Sequence, residues 1–325
     1  MTGWRHLAPA VALAATTLLA SSVTAADGTS TPRSGSEATV LVGMSTAISA
    51  SVGADPILIA QQNGYFSKLG INVQLTAYNG GGVNLSALAA GQEEIIHIGM
   101  SAVGAAIVKG VGLTLVGADS VDLSQFGVWV PYSSSYKTVK DLSGGTIGVS
   151  STGGTTYTYA LSIAKKAGIT VTPVPLGDPG DVVATAGGKV DASIALYQGA
   201  YPYLAAHDIR ELAPLASLLP AQLSDGMVVE NSFLQSHPGA VRAYMEGWWK
   251  GVEWMRTHKQ QALAFMERTQ SLSPYLANYQ FTHVIMKDPY EGSFTNDEVR
   301  AAMQTGQIAM SVLPAISSYV THKYS

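Results

Sequence analysis

The chain has 325 residues, of which 47% are hydrophobic and only 12% charged; the net charge is −4 and there is no cysteine. A chain this long and apolar can bury a large core, which excludes intrinsic disorder. With no arginine between Arg33 and Arg210, it has no basic stripe for nucleic acid, and without cysteine it has no disulfides, thiol nucleophiles or Cys-ligated metals.

Residues 1–26 read as a secretory signal peptide. Arg5 supplies the positive start, 7–19 is an apolar run too short to span a bilayer, and Val23-Thr24-Ala25 places small residues before a cut. Without a cysteine to carry lipid, the exported product is expected free in the periplasm. Residues 27–38 (DGTSTPRSGSEA) have the composition of a flexible linker.

The next segments occur twice. Residues 40–46 (VLVGMST) and 146–152 (TIGVSST) are apolar runs ending in small hydroxyl residues. Each leads into a helical pattern closed by a glycine, Gly70 or Gly168. A β-branched strand and a Gly/Pro/Asp loop follow, then an Ala-rich helix ending at Gly91 or Gly188, then a strand, EIIHIG or DASIAL. The period is too long for a solenoid. It predicts two βαβαβ lobes with a cleft between them. Between the repeats, 113–117 and 126–130 read as strands and 138–142 as a helical turn. After the second repeat, 211–216 and 227–230 are strand-like, and the latter can carry the chain back.

The rest is helical. Pro238 suits a helix start, and Val241, Met245, Trp248, Val252 and Met255 repeat as one apolar face. Thr295 and Glu298 form a capping box for a last helix running through AAMQTGQIAMSVL. These helices are expected to pad the first lobe. The predicted division is 39–120 with 231–325 as lobe 1, and 121–230 as lobe 2.

In open α/β sheets, ligands sit beyond the C-terminal ends of the strands. There the first lobe carries Ser45, Thr46, Tyr78, Asn79, Gly80, Gly81, Ser101 and Ala102. The second carries Ser150, Ser151, Thr152, Thr155, Thr156, Tyr197 and Gln198, with Gly177-Asp178 nearby. Hydroxyls, amides and bare backbone suit a small polar or anionic solute held by hydrogen bonds. The 150–156 loop is expected to face Ser45, Thr46 and Tyr78 across the cleft.

Catalytic patterns are incomplete. Gly99-Met100-Ser101 starts like a nucleophile elbow, but Val103 stands where the last glycine belongs. Ser162-x-x-Lys165 lacks its partner motifs, and the 150–156 loop lacks the lysine of a phosphate loop. His97 reads as a core histidine and His237 as a cap or surface residue. Glu93 and Glu94 have no partner at metal spacing. No cofactor, metal or catalytic residue is expected.

The order of segments resembles the periplasmic solute-binding proteins that feed ABC importers, in particular the nitrate/sulfonate/taurine and thiamine-precursor group. The phrases that carry it are PILIAQQNGYF at 56–66, LGINV at 69–73, LAAGQ at 88–92, KDLSG at 140–144, IGV at 147–149 and GKVDA at 188–192. The resemblance implies a type II two-lobed α/β fold with a hinge. It also implies a monomer that binds one small organic anion, a sulfonate or carboxylate, and delivers it to an inner-membrane permease. The alternatives are a thiamine-precursor pyrimidine as solute, or an enzyme on the same scaffold. Tyr197-Gln198-Gly199 stands where the family often has Trp-Glu-Pro, at a position that commonly faces the ligand. The enzymes of this architecture use an active-site cysteine, which this chain lacks.

Overall fold

The computed structural model describes residues 38–48, 51–120, 123–286, 294–306, 308 and 310–324. These belong to one compact unit, Glu37–Ser325. The expected signal peptide and nearly all of the expected linker lie outside the described residues.

In chain order, the first lobe holds β1 (Ala38–Met44), α1 (Asp55–Gln62), α2 (Tyr65–Lys68), β2 (Ile71–Ala77), α3 (Gly81–Ala89), β3 (Ile95–Gly99), α4 (Met100–Val108) and β4 (Leu113–Ser120). The second holds β5 (Phe126–Pro131), β6 (Thr146–Val149), α5 (Thr155–Ala167), β7 (Thr172–Pro175), α6 (Gly180–Ala186), β8 (Ala192–Leu196), α7 (Tyr197–Ala205), β9 (Ile209–Pro214) and α8 (Leu215–Leu218). Then come β10 (Asp225–Glu230), α9 (Asn231–Ser236), α10 (Pro238–Thr257), α11 (Lys259–Gln270), α12 (Pro274–Gln280) and α13 (Asn296–Thr305).

The two sheets correspond strand for strand. Their orders are β2-β1-β3-β10-β4 and β7-β6-β8-β5-β9. The first three strands of each are parallel, and the fourth runs antiparallel to both its neighbours. The fourth strand is where the lobes differ in connection. The second sheet takes β5 as the chain enters, and the first takes β10 as it returns. The chain re-enters the first sheet with β10, which begins at Asp225. The slot between β3 and β4 is closed only by these residues. The echo extends to backbone conformation: Gly70 and Gly168 both have φ near +70 to +80° (79° and 69°), the left-handed turn that ends a helix at little steric penalty only in glycine.

Strand alternation sorts the core. In β3, Ile95 packs under α1, α2 and α10, whereas Ile96 and Ile98 pack under α3, α4 and α13. In β5, Phe126, Val128 and Val130 face α5 and α8, and Trp129 faces α6 and α7. The predicted face of α10 is buried at all five positions. Each such side chain, fully buried, contributes about 1.5–3 kcal/mol.

Two expectations change at the C-terminus. The last helix stops at Thr305 rather than running through to 313, since Gly306 follows and Met310–Val312 forms only a 3-10 turn. Nor do the helices serve the first lobe alone. On α12, Gln280 donates to Gln198 of α7 at 2.7 Å, and the rings of Tyr275 and Tyr279 lie against Tyr201 and Tyr197.

Candidate functional site

The C-terminal ends of the parallel strands of both sheets meet at one cavity of about 90 Å³. From the first lobe it is lined by Ser45, Thr46, Gly81, His97, Gly99 and Asp119, and from the second by Gln125, Phe126, Ser150, Thr155, Thr156 and Asp178. The lobes touch around it. A Cβ placed on Gly99 would fall 1.8 Å from Thr155 Oγ1. Gly80 and Gly82 pack on Ser151, and the Asp178 amide donates to Asn79 Oδ1 at 3.1 Å.

On the first-lobe side a buried polar network sets the strand ends. Asn84 of α3 is fully buried; its Nδ2 reaches Gly43 O, Ser45 Oγ and His97 O at 3.0–3.1 Å, and Ser45 Oγ donates to His97 O at 2.7 Å. His97 points to the α10 face of β3. Its Nε2 lies 2.6 Å from the Tyr244 hydroxyl and its Nδ1 2.8 Å from Asp119 Oδ2. Complete burial holds the Tyr244 phenol protonated, with its pKa well above the usual range. The assignment that uses that proton has Tyr244 donating to Nε2 and Nδ1–H donating to Asp119. Both ring nitrogens are thereby committed.

The second-lobe loop is likewise tied internally. Thr156 Oγ1 accepts from the Ser150 amide at 2.9 Å and lies 3.0 Å from Ser150 Oγ. Asp225, at the start of β10, accepts from Gln125 at 2.7 Å, joining the two segments by which the chain crosses between lobes. Its carboxyl is pushed up to about 7 by burial and by the neighbouring Asp119 charge. Burial pushes Asp178 up to about 6. Asp181 of α6 is pushed up to about 8, by burial first and by Asp178 second.

A second chamber of about 300 Å³ adjoins the first and shares Thr46, Asp178 and Leu196 with it. Asp181, Gln198, Tyr201, Leu272 and Leu276 are among its walls.

Of the residues expected at the site, Ser45, Thr46, Gly81, Ser150, Thr155 and Thr156 line the first cavity and Gln198 the second. Asn79, Gly80 and Ser151 form the contact between lobes. Thr152 is exposed at the loop tip. Three others are not among the residues that line either cavity. The Tyr78 hydroxyl turns to Glu93 at 2.7 Å, Ala102 is buried in the α4 core, and the Tyr197 hydroxyl binds Glu211 while its ring meets Trp129 edge-on. In each case an apolar or acidic neighbour within the lobe satisfies the side chain better than the cleft does. The Ser101 side chain lies outside the described residues. The sequence reading missed His97, Asp119 and Asp225 as lining residues. Their signal was an acid or imidazole beside a strand end in an otherwise apolar segment.

A model of one protein family, described as NMT1/THI5 like, matches residues 53–262, more than half of the chain. The chain belongs to the NMT1/THI5-like family. No curated protein sequence matches it. Among solved structures, it is similar to a Candida albicans protein described as showing the generic periplasmic binding protein fold (17% identity, TM-score 0.74, covering 87% of this chain and 96% of that one). It is also similar to the alkanesulfonate-binding protein SsuA of Xanthomonas axonopodis pv. citri (18%, 0.73, 88% and 98%) and to the desulfurization enzyme DszB (15%, 0.58, 88% and 97%). At these identities the likeness establishes a shared fold, the two-lobed periplasmic binding protein fold, for this NMT1/THI5-like chain.

Proposed function

We propose that this protein is the solute-binding component of an importer, exported to the periplasm, that closes its lobes over one small solute and hands it to a membrane permease. The observation that carries this reading is the cavity itself. It lies between the strand ends of two matched sheets and is closed by contacts made only across the lobes. Closure is a population shift that a solute drives by touching both walls at once. The solute-binding and importer neighbours support the role, as does the family.

Binding without chemistry fits the site better than the enzyme reading that DszB suggests. His97, which lines the first cavity, has both nitrogens committed, so it is not free to activate a nucleophile. The sequence pattern favoured a small organic anion as solute. The lining acids Asp119, Asp178 and Asp225, with no lysine or arginine among the described lining residues, weigh against that.

The test is a thermal-shift panel of small amines, carboxylates, sulfonates and pyrimidines, followed by small-angle scattering with each stabilising compound. A binder at 100 times its Kd should add about 2.7 kcal/mol of stability. It should shrink the radius of gyration and be recovered unchanged. Turnover of the bound compound, or stabilisation by none of the panel, would overturn the reading.

A further inference from the structure

We infer that the cleft selects a small amine, its ammonium group held among Asp119, Asp178 and Asp225 and its apolar body lodged in the adjoining chamber. This rests on the solute-binding reading and specifies its substrate class.

The argument starts from Asp119. It is 7% exposed and lines the first cavity, and its Oδ2 is taken by His97 while its Oδ1 has no partner. A buried carboxylate oxygen left open in this way calls for a donor from the ligand. Asp225, close enough to Asp119 to be raised by it, is held by the neutral amide of Gln125. Asp178 faces them from the second lobe. Among the described residues, no lysine or arginine lines either chamber. A sulfonate or carboxylate here would meet three carboxyl groups and no lysine or arginine among the described lining residues, whereas an ammonium offers three donors and the opposite charge.

A metal ion is a poorer match. Among the described residues there is no group of three or more His, Asp or Glu placed to hold one. Size supplies the rest. The first cavity, about 90 Å³, is smaller than the roughly 150 Å³ that holds a benzene ring and suits a charged head. The second, about 300 Å³, exceeds the roughly 150 Å³ that holds a benzene ring, and its walls include Tyr201, Leu272 and Leu276. There Gln198 is 8% exposed and its Nε2 is also unpartnered, facing a chamber where an amine bearing an acceptor group on its body would satisfy it.

The experiment compares three compounds of one shape by calorimetric titration at pH 8: 2-phenylethylamine, 3-phenylpropanoate and 2-phenylethanesulfonate. The amine should bind and the anions should not. Asp119→Asn should weaken amine binding about ten-fold or more, because a charge-assisted hydrogen bond becomes a neutral one. Asp178→Asn, on a loop outside the core, repeats the test should Asp119→Asn disturb folding. Amine affinity unchanged in both variants would overturn the inference. Binding of either anion in place of the amine, abolished by Gly99→Ala, would overturn it while leaving the solute-binding reading intact. Stabilisation by no compound of the wider panel would remove both.

Discussion

In the first lobe the strand ends are tied together by buried side chains. Asn84 bridges β1 and β3, and His97 joins β4 to α10 through Asp119 and Tyr244. In the second lobe the matching strand ends are tied by their own loop, where Thr156 accepts from the Ser150 amide. The sheets have one strand order, yet one wall of the cleft is braced by the core and the other by a turn. The extra helices explain this. α10 supplies Tyr244 to the first sheet, whereas the Ser150–Thr156 tie of the second lobe lies within one loop.

Four measurements sharpen or break that contrast. The largest effect concerns whether the lobes share one unfolding transition. Trp248 in the first lobe and Trp129 in the second are both fully buried. Either Trp→Ala change should remove about 3–5 kcal/mol. Calorimetry should show a single, lowered transition for both variants, because two chain crossings and α12 join the lobes. A second transition appearing only in Trp129→Ala would make the second lobe an independent folding unit.

Next comes pH. Asp55 on α1 is fully buried, accepts from Gln270 and is pushed up to about 7 by burial, while Asp181 in the second lobe is pushed up to about 8. Folded values above the unfolded one of about 4 mean that the folded state holds the extra protons. Their stabilisation is therefore complete below about pH 4 and lost as pH rises through 7 and 8. Stability of the ligand-free protein in urea should fall by roughly 2–4 kcal/mol for each group between pH 5 and pH 9. Asp55→Asn should flatten the first lobe's share and Asp181→Asn the second's. A rise in stability over that range would contradict the burial of both acids.

Gly99→Ala separates binding from folding. The added methyl meets Thr155 only when the lobes are together. Ligand affinity should drop at least ten-fold, about 1.4 kcal/mol, with the melting temperature of the free protein nearly unchanged. Equal losses in both would mean that the lobes stay in contact without ligand.

The smallest effects compare two local ties. Thr156→Ala removes the second-lobe loop bond, and Thr295→Ala removes the capping box at α13, where Thr295 and Glu298 satisfy each other's amides. Each should lower stability by about 1 kcal/mol, but only Thr156→Ala should also weaken binding. Equal affinity in the two variants would show that the loop need not be pre-formed.

The amino-acid sequence by itself determined the two lobes, most of the elements and the end of the sheets where the cavity lies. These follow from local rules: alternation and helical spacing, the left-handed glycines at 70 and 168, and the capping box at Thr295. Tertiary structure decided which strand completes each sheet, since β5 and β10 pair with partners far away in the chain. It also decided what the cleft is made of. Tyr78 and Tyr197 stand in the right loops but find carboxylates inside their own lobes, at Glu93 and Glu211. Asp119 and Asp225 are ordinary strand-end acids when read one at a time. Their charge matters only because the fold brings them together with Asp178 around one cavity, which no lysine or arginine among the described residues lines. Electrostatic character belongs to a set of groups held at a distance, and only packing sets that distance.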